Sequence, residues 1–100
     1  MDTLREIVNR EVTTYVSQGA NGYSYLIANP EKTDWTVVFV LNIDGKRVVR
    51  TGLIVRMWKE TIIVEQDSND PPLVDALLQA GIPRSQIIRA YAGDPVPEAV

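Results

Sequence analysis

The side chains that most often do chemistry in a small protein are missing here. The 100-residue chain contains no histidine and no cysteine. Histidine is the usual general base near neutral pH and the commonest metal ligand. Without it or a thiolate, Ser-His and Cys-His nucleophiles and ordinary zinc sites are excluded. What remains is carboxylate, lysine or arginine chemistry. Asp44, Glu65 and Asp67 are the acids to weigh for metal-dependent cleavage, which needs several carboxylates on one ion. They fall at a turn, a strand end and a cap, each with a structural task, so the chain is expected not to be an enzyme and no catalytic residue, metal or cofactor is assigned. A calcium loop built on Asp67, Asn69 and Asp70 lacks the required glycine and distal glutamate.

The basic residues form the other candidate site. Between Lys46 and Lys59 there are five basic residues and no acid, and between Glu60 and Asp75 five acids and no base. Lys46, Arg50 and Arg56 on one strand face, edged by Trp58 for base stacking, would suit a nucleic acid or an acidic partner, and Arg89 adds a further cation. The competing reading pairs this basic strand with Glu60 and Glu65 of the strand that follows. A net charge of −3 and a pI of about 4.8 oppose generic attraction to phosphate backbones and favour the pairing.

These residues are positioned by a β-meander from Trp35 to Gln66. The run Trp35–Ile43 enters Asp44-Gly45, a strong hairpin signal because a type I′ turn needs φ > 0 at both central residues. The apolar pattern resumes over 46–58 and, after Lys59-Glu60, over 61–65. Strict alternation puts Val49, Thr51, Leu53, Val55 and Met57 on one face of the second run. Lys46, Val48, Arg50, Gly52, Ile54, Arg56 and Trp58 take the other. Tyr23–Asn29 alternates as an earlier strand, Asn29–Asp34 is a loop, and Ser85–Tyr91 is a last short strand.

Two helices complete the pattern. Residues 3–18 place Leu4, Ile7, Val8, Val12, Tyr15 and Val16 on one stripe. Thr3 with Glu6 fits a capping box, and Gly19 suits the position after the last turn. The second helix opens with Asp70 as N-cap and Pro71 at N1. It buries Leu73, Val74, Leu77 and Leu78, then stops at Gly81 and Pro83. The expected fold is α+β: an antiparallel sheet of four or five strands with both helices on one face, a single domain over 1–100. Trp35, Val37, Phe39, Leu41, Leu53, Val55, Ile62 and Val64 should face the helices. No apolar run approaches the roughly 20 residues of a membrane span, and no signal-peptide core precedes the first helix, so a cytoplasmic protein is expected.

The segment from Arg47 to Tyr91 resembles the XisI family, cyanobacterial proteins named as controlling factors for excision of the fdxN element. The resemblance is carried by Arg47-Val48-Val49, by Ile62–Asp67, by Leu73–Arg84 with its Gly81-Ile82-Pro83-Arg84 ending, and by Ser85–Tyr91. Departures occur where the family tends to have His-x-Asp and this chain has Ile54-Val55-Arg56. Ile63 stands in place of a common Trp, Ala76 in place of a Glu, and Ala92-Gly93-Asp94 in place of His-Pro-Pro. The resemblance implies an accessory factor in site-specific excision of a DNA element, acting on a recombinase or on an XisH-type, nuclease-like partner. Direct nucleic-acid binding through the strand 46–59 is the alternative.

The second sheet face also implies a partner. Val38, Val40, Val48, Ile54, Trp58 and Ile63 would leave it too apolar for water, so a homodimer is expected, with Arg50 and Arg56 at its rim.

Overall fold

Asp44 and Gly45 both take positive φ, 51° and 77°, and this turn sets the geometry of the rest. In the computed structural model, which describes residues 2–97, it joins β3 (Asp34–Ile43) to β4 (Lys46–Trp58) with Ile43 opposite Lys46. The Asn42 side-chain oxygen accepts a hydrogen bond from the Gly45 amide at 3.0 Å and braces the turn. β2 (Gly22–Ala28) lies against the other edge of β3, and β5 (Thr61–Asp67) against the other edge of β4. Two short strands complete the sheet, β1 (Gln18–Gly19) beside β2 and β6 (Ile87–Arg89) beside β5. The six strands run in the order β1-β2-β3-β4-β5-β6.

The strand count therefore exceeds the expected four or five, and the sheet is not wholly antiparallel. β6 runs parallel to β5. A parallel neighbour needs a crossover connection, and the second helix, α2 (Leu73–Gln79), lies in that connection.

The first helix, α1 (Leu4–Thr13), has the expected capping box. It stops five residues short of the expected end. The Thr13 and Thr14 hydroxyls donate to the carbonyls of Asn9 and Glu11, each at 2.6 Å. Such back-bonding by β-branched residues competes with continued α-helix, and the chain leaves in i→i−3 bonds through Val16. Val16 is consequently exposed, and Gly19 is a strand residue rather than a helix terminator.

α2 also starts later than expected. Asp70 and Pro71 each precede a proline, which disfavours helical φ/ψ at both. Pro72 is therefore the N-cap, with no side-chain cap of its own. The cap comes from a distance: one Asp67 oxygen accepts from the Leu73 amide at 2.7 Å, and the other accepts from the Asn69 amide and side chain. Leu73, Val74 and Leu77 are buried, but Leu78 is exposed.

Both helices pack on one side of the sheet. Val8 and Val12 of α1 and Leu73 and Leu77 of α2 meet Trp35, Val37, Leu53, Val55, Ile62 and Val64 in one buried cluster. The Trp35 indole donates to Asn9 of α1 at 3.0 Å, so the largest core side chain has its polar edge satisfied. Tyr15 reaches from the end of α1 to donate to the Pro71 carbonyl at 3.1 Å. Burial, and after it the Asp67, Asp75 and Glu11 carboxylates, pushes that phenol up to about 12.

One irregularity reassigns the faces of β4. Val37 pairs with Leu53 but Val38 pairs with Thr51, leaving Gly52 as an extra residue in β4. A bulge shifts the side-chain phase of one strand by a residue. Leu53, Val55 and Met57 face the helices as expected, but before the bulge it is Lys46, Val48 and Arg50 that share their side. Arg47, Val49 and Thr51 turn to the open side. Gly52 is required by proximity, because a Cβ there would collide with the Phe39 ring.

Candidate partner-binding surface

The bulge divides the expected basic site between two surfaces. Phe39 pairs with Arg50 and Ile43 with Lys46, so these cations lie on the helix side of the sheet. Asp34 pairs with Arg56 and Thr61 with Trp58, placing those two on the open side. Lys46, Arg50, Arg56 and Trp58 therefore cannot present one continuous face to a phosphate backbone.

Arg56 is held within its own chain. Its guanidinium bonds Glu65 of β5 at 2.6 Å, the cross-strand pairing that the alternation of basic and acidic segments suggests. Glu65 is itself an extra residue, since Val55 pairs with Val64 and Ile54 with Gln66. Trp58 stands at the β4–β5 turn with the Lys59 ammonium 5.7 Å from its ring centre, within reach of a cation–π contact. Arg89 belongs to a third place. Its amide donates to Asp94 at 2.9 Å, and its guanidinium and that of Arg84 each stand 3.4 Å from the same carboxylate. The Arg89 amide first, and then the two guanidiniums, hold Asp94 below the usual carboxylate range.

The candidate carboxylates are equally dispersed. Asp44 is in the hairpin turn, Glu65 is in its ion pair and Asp67 caps α2. Among the described residues no three such side chains converge on a place where a metal ion could sit. No helix among them is long and apolar enough to cross a membrane.

What the structure does bring together is the outer half of the β3–β4 hairpin and the cleft at its base. The helices do not reach this half: Ile43, Lys46 and Arg50 on their side of the sheet are exposed. Lys46, Arg47 and Arg50 make no ion pair among the described residues. Beside Arg50 an open cleft of about 790 Å³ is lined by Phe39, Leu41, Gln66, Ser68, Asn69 and Asp70. Its floor is rigidly built. The Gln66 side-chain Nε2 donates to the Thr51 carbonyl at 2.6 Å, and the Ser68 backbone amide and Asn69 side chain donate to the Gly52 carbonyl at 3.0 and 3.2 Å. The bulge thus exposes backbone carbonyls that neighbouring side chains satisfy. It also sets an aromatic ring, an aliphatic side chain, a guanidinium and the Asp70 carboxylate around one opening.

Sequence reasoning missed this cleft because Gly52 sits in unbroken apolar alternation. It also missed the exposure of Tyr23, Tyr25, Ile27 and Val49 on the open side. The Tyr-x-Tyr-x-Ile alternation of β2 was the available signal for three of them. On the same side Ile63 was expected to be uncovered but is fully buried, in a strand against which the turn Ala90–Ala92 packs. Val48 was expected there too and lies on the opposite face.

A family model described as XisI protein matches residues 1–98. The fold is similar to the crystal structure of the fdxN element excision controlling factor XisI from Anabaena variabilis. The TM-score is 0.69 at 24% identity, covering 93% of this chain and 90% of that one. It is also similar to a XisI-like protein from the same organism. There the TM-score is 0.63 at 19% identity, over 86% of this chain and 78% of that one. No curated protein sequence matches the chain.

Proposed function

The chain belongs to the XisI family, and from that premise we propose that it is an accessory factor in excision of a DNA element, acting on a protein partner rather than cutting DNA itself. The family match over residues 1–98 is the observation that carries this reading. The partner is a recombinase or an XisH-type, nuclease-like protein, and the docking site is the exposed end of the β3–β4 hairpin with its cleft. Lys46 and Arg50 supply positive charge there, while Phe39 and Leu41 supply apolar surface. Complementary charge at such a site mainly sets encounter rate and partner choice.

Direct DNA binding is the weaker reading because the bulge separates Lys46 and Arg50 from Arg56 and Trp58. The carboxylates Asp44, Glu65 and Asp67 are spent on turn, ion pair and cap, which favours a regulatory role over a catalytic one. The test is capture of a purified XisH-type protein or recombinase by the tagged chain, with binding to DNA fragments followed across salt concentrations. Capture that falls at least tenfold in Arg50→Glu and Lys46→Glu, with no steep salt dependence of DNA binding, is the expected result. Steeply salt-dependent DNA binding by the chain alone, without capture of either protein, makes the reading wrong.

A further inference from the structure

The open side of the sheet has a relief as well as an apolar composition. By register, Tyr23 of β2 lies beside Val40 of β3, Tyr25 beside Val38, and Val40 in turn beside Val49 of β4. Tyr25, Ile27 and Val49 are 41%, 55% and 56% exposed, whereas Val38 and Val40 are only 9% and 5% exposed. A raised row on β2 therefore borders a trough on β3 floored by small β-branched side chains, with exposed Val49 on its other flank. The tyrosine row is ordered, with ring centres of Tyr23 and Tyr25 6.4 Å apart.

No charge stands in the middle of this surface. Arg47 closes one end, and at the other Arg56 is bound to Glu65. A surface of one sign would repel its own copy, whereas this one carries nothing at its centre that selects an oppositely charged partner. Strand spacing gives its size. Three strands, β2 to β4, at about 4.8 Å span roughly 14 Å, and ten residues of β3 at about 3.3 Å span roughly 33 Å, a projected area of roughly 480 Å². Side-chain relief raises the accessible area above that projection, toward the about 800 Å² per partner of a standard stable interface. An apolar face on this scale is at the upper end of what a monomer carries, and patches of that size are often functional.

We propose that this side is the isologous interface of a homodimer, with a two-fold axis along the strands midway between β2 and β3 that lays the tyrosine row of each copy into the trough of the other. Isologous contact requires a patch complementary to itself, and a raised row beside a trough of matching length meets that requirement. The inference is independent of the partner docking proposed above, because Lys46 and Arg50 lie on the other side of the sheet.

Sedimentation of the full chain at tens of micromolar, in low and in high salt, tests it. The expected species has twice the 11.2 kDa of the chain and is insensitive to salt. Ile27→Asp and Val49→Asp change side chains already exposed in the single chain, so each should fold. Each should weaken the dimer at least tenfold with an unchanged circular dichroism spectrum, whereas Lys46→Glu should leave it intact. A wild-type species of 11.2 kDa under these conditions overturns the proposal. So does a dimer that survives both aspartate variants, which would place the interface elsewhere. A monomer whose capture of a heterologous protein is lost in Ile27→Asp would assign this face to that protein instead.

Discussion

Across the thickness of one sheet, Val37, Leu53, Val55 and Val64 on the helix side are sealed from water, while Tyr25, Ile27 and Val49 on the open side are not. The strands are shared, so hydrophobicity along the chain does not separate the two sides. Position relative to the two helices separates them, together with the phase of β4. Where α1 and α2 lie, apolar side chains become core. Beyond their reach, at Ile43, Lys46 and Arg50, the same side of the sheet becomes exposed and basic. An apolar residue in a strand thus does not by itself report burial, which here depends on whether a helix of the same chain lies over it.

Truncation on each side gives the sharpest test of that contrast. Leu77→Ala removes a fully buried side chain that joins α2 to the sheet and should lower unfolding free energy by about 2–5 kcal/mol. Ile27→Ala, on the open side, should stay within about 0.5 kcal/mol when measured below the dimerisation range. Urea unfolding at low protein concentration checks both, and a similar cost for the two would remove the distinction between sides.

Gly52→Ala probes the element that sets the phase of β4. The added methyl must displace the Phe39 ring, and overpacking of this kind costs about 1–3 kcal/mol. The variant should also lose partner capture while its dimer persists, since Phe39 lines the cleft and not the open side. An unchanged melting temperature with unchanged capture would show that the ring moves freely.

The smallest expected effect lies in the ion pair on the open side. Arg56 and Glu65 are both partly exposed, and a double-mutant cycle with alanine at each should give a coupling of about 0.2–1 kcal/mol. A coupling of several kcal/mol would mean that the pair is shielded, as burial within a dimer interface would make it.

Much of this organisation is legible in the residues. Asp44-Gly45 announces its turn through a φ requirement few residue pairs meet, and Thr3 with Glu6 announces the start of α1. Trp35, Val37, Leu53, Val55, Ile62 and Val64 are marked as core by alternation in strands long enough to make it unambiguous. The bulge is not legible, because Val48 and Val49 are both apolar and either could occupy either side. Its consequence is the largest error in the site: Arg50 changes side, and Val49 replaces Val48 on the open face. The cap of α2 was misplaced from Asp67 to Asp70 because capping preferences are local. Asp67 reaches across six residues, a path set by how the chain leaves β5 and by Pro71-Pro72. The two-residue β1 and three-residue β6 are too short to show a period at all, and only their neighbours in space make them strands.

The extra residue at Gly52 has a bearing on how such a domain can change over generations. In most of a strand, losing one codon exchanges inside for outside and destroys the core. Here the loss would straighten β4 and leave residues 46–51 on the sides they already occupy, because Thr51 opposite Val38 would then follow directly beside Leu53 opposite Val37. Arg47, Val49 and Thr51 would stay on the open side, and Lys46, Val48 and Arg50 on the helix side. A single in-frame deletion could thus remove the kink beside the cleft while both recognition surfaces kept their residues and the same helices kept their core.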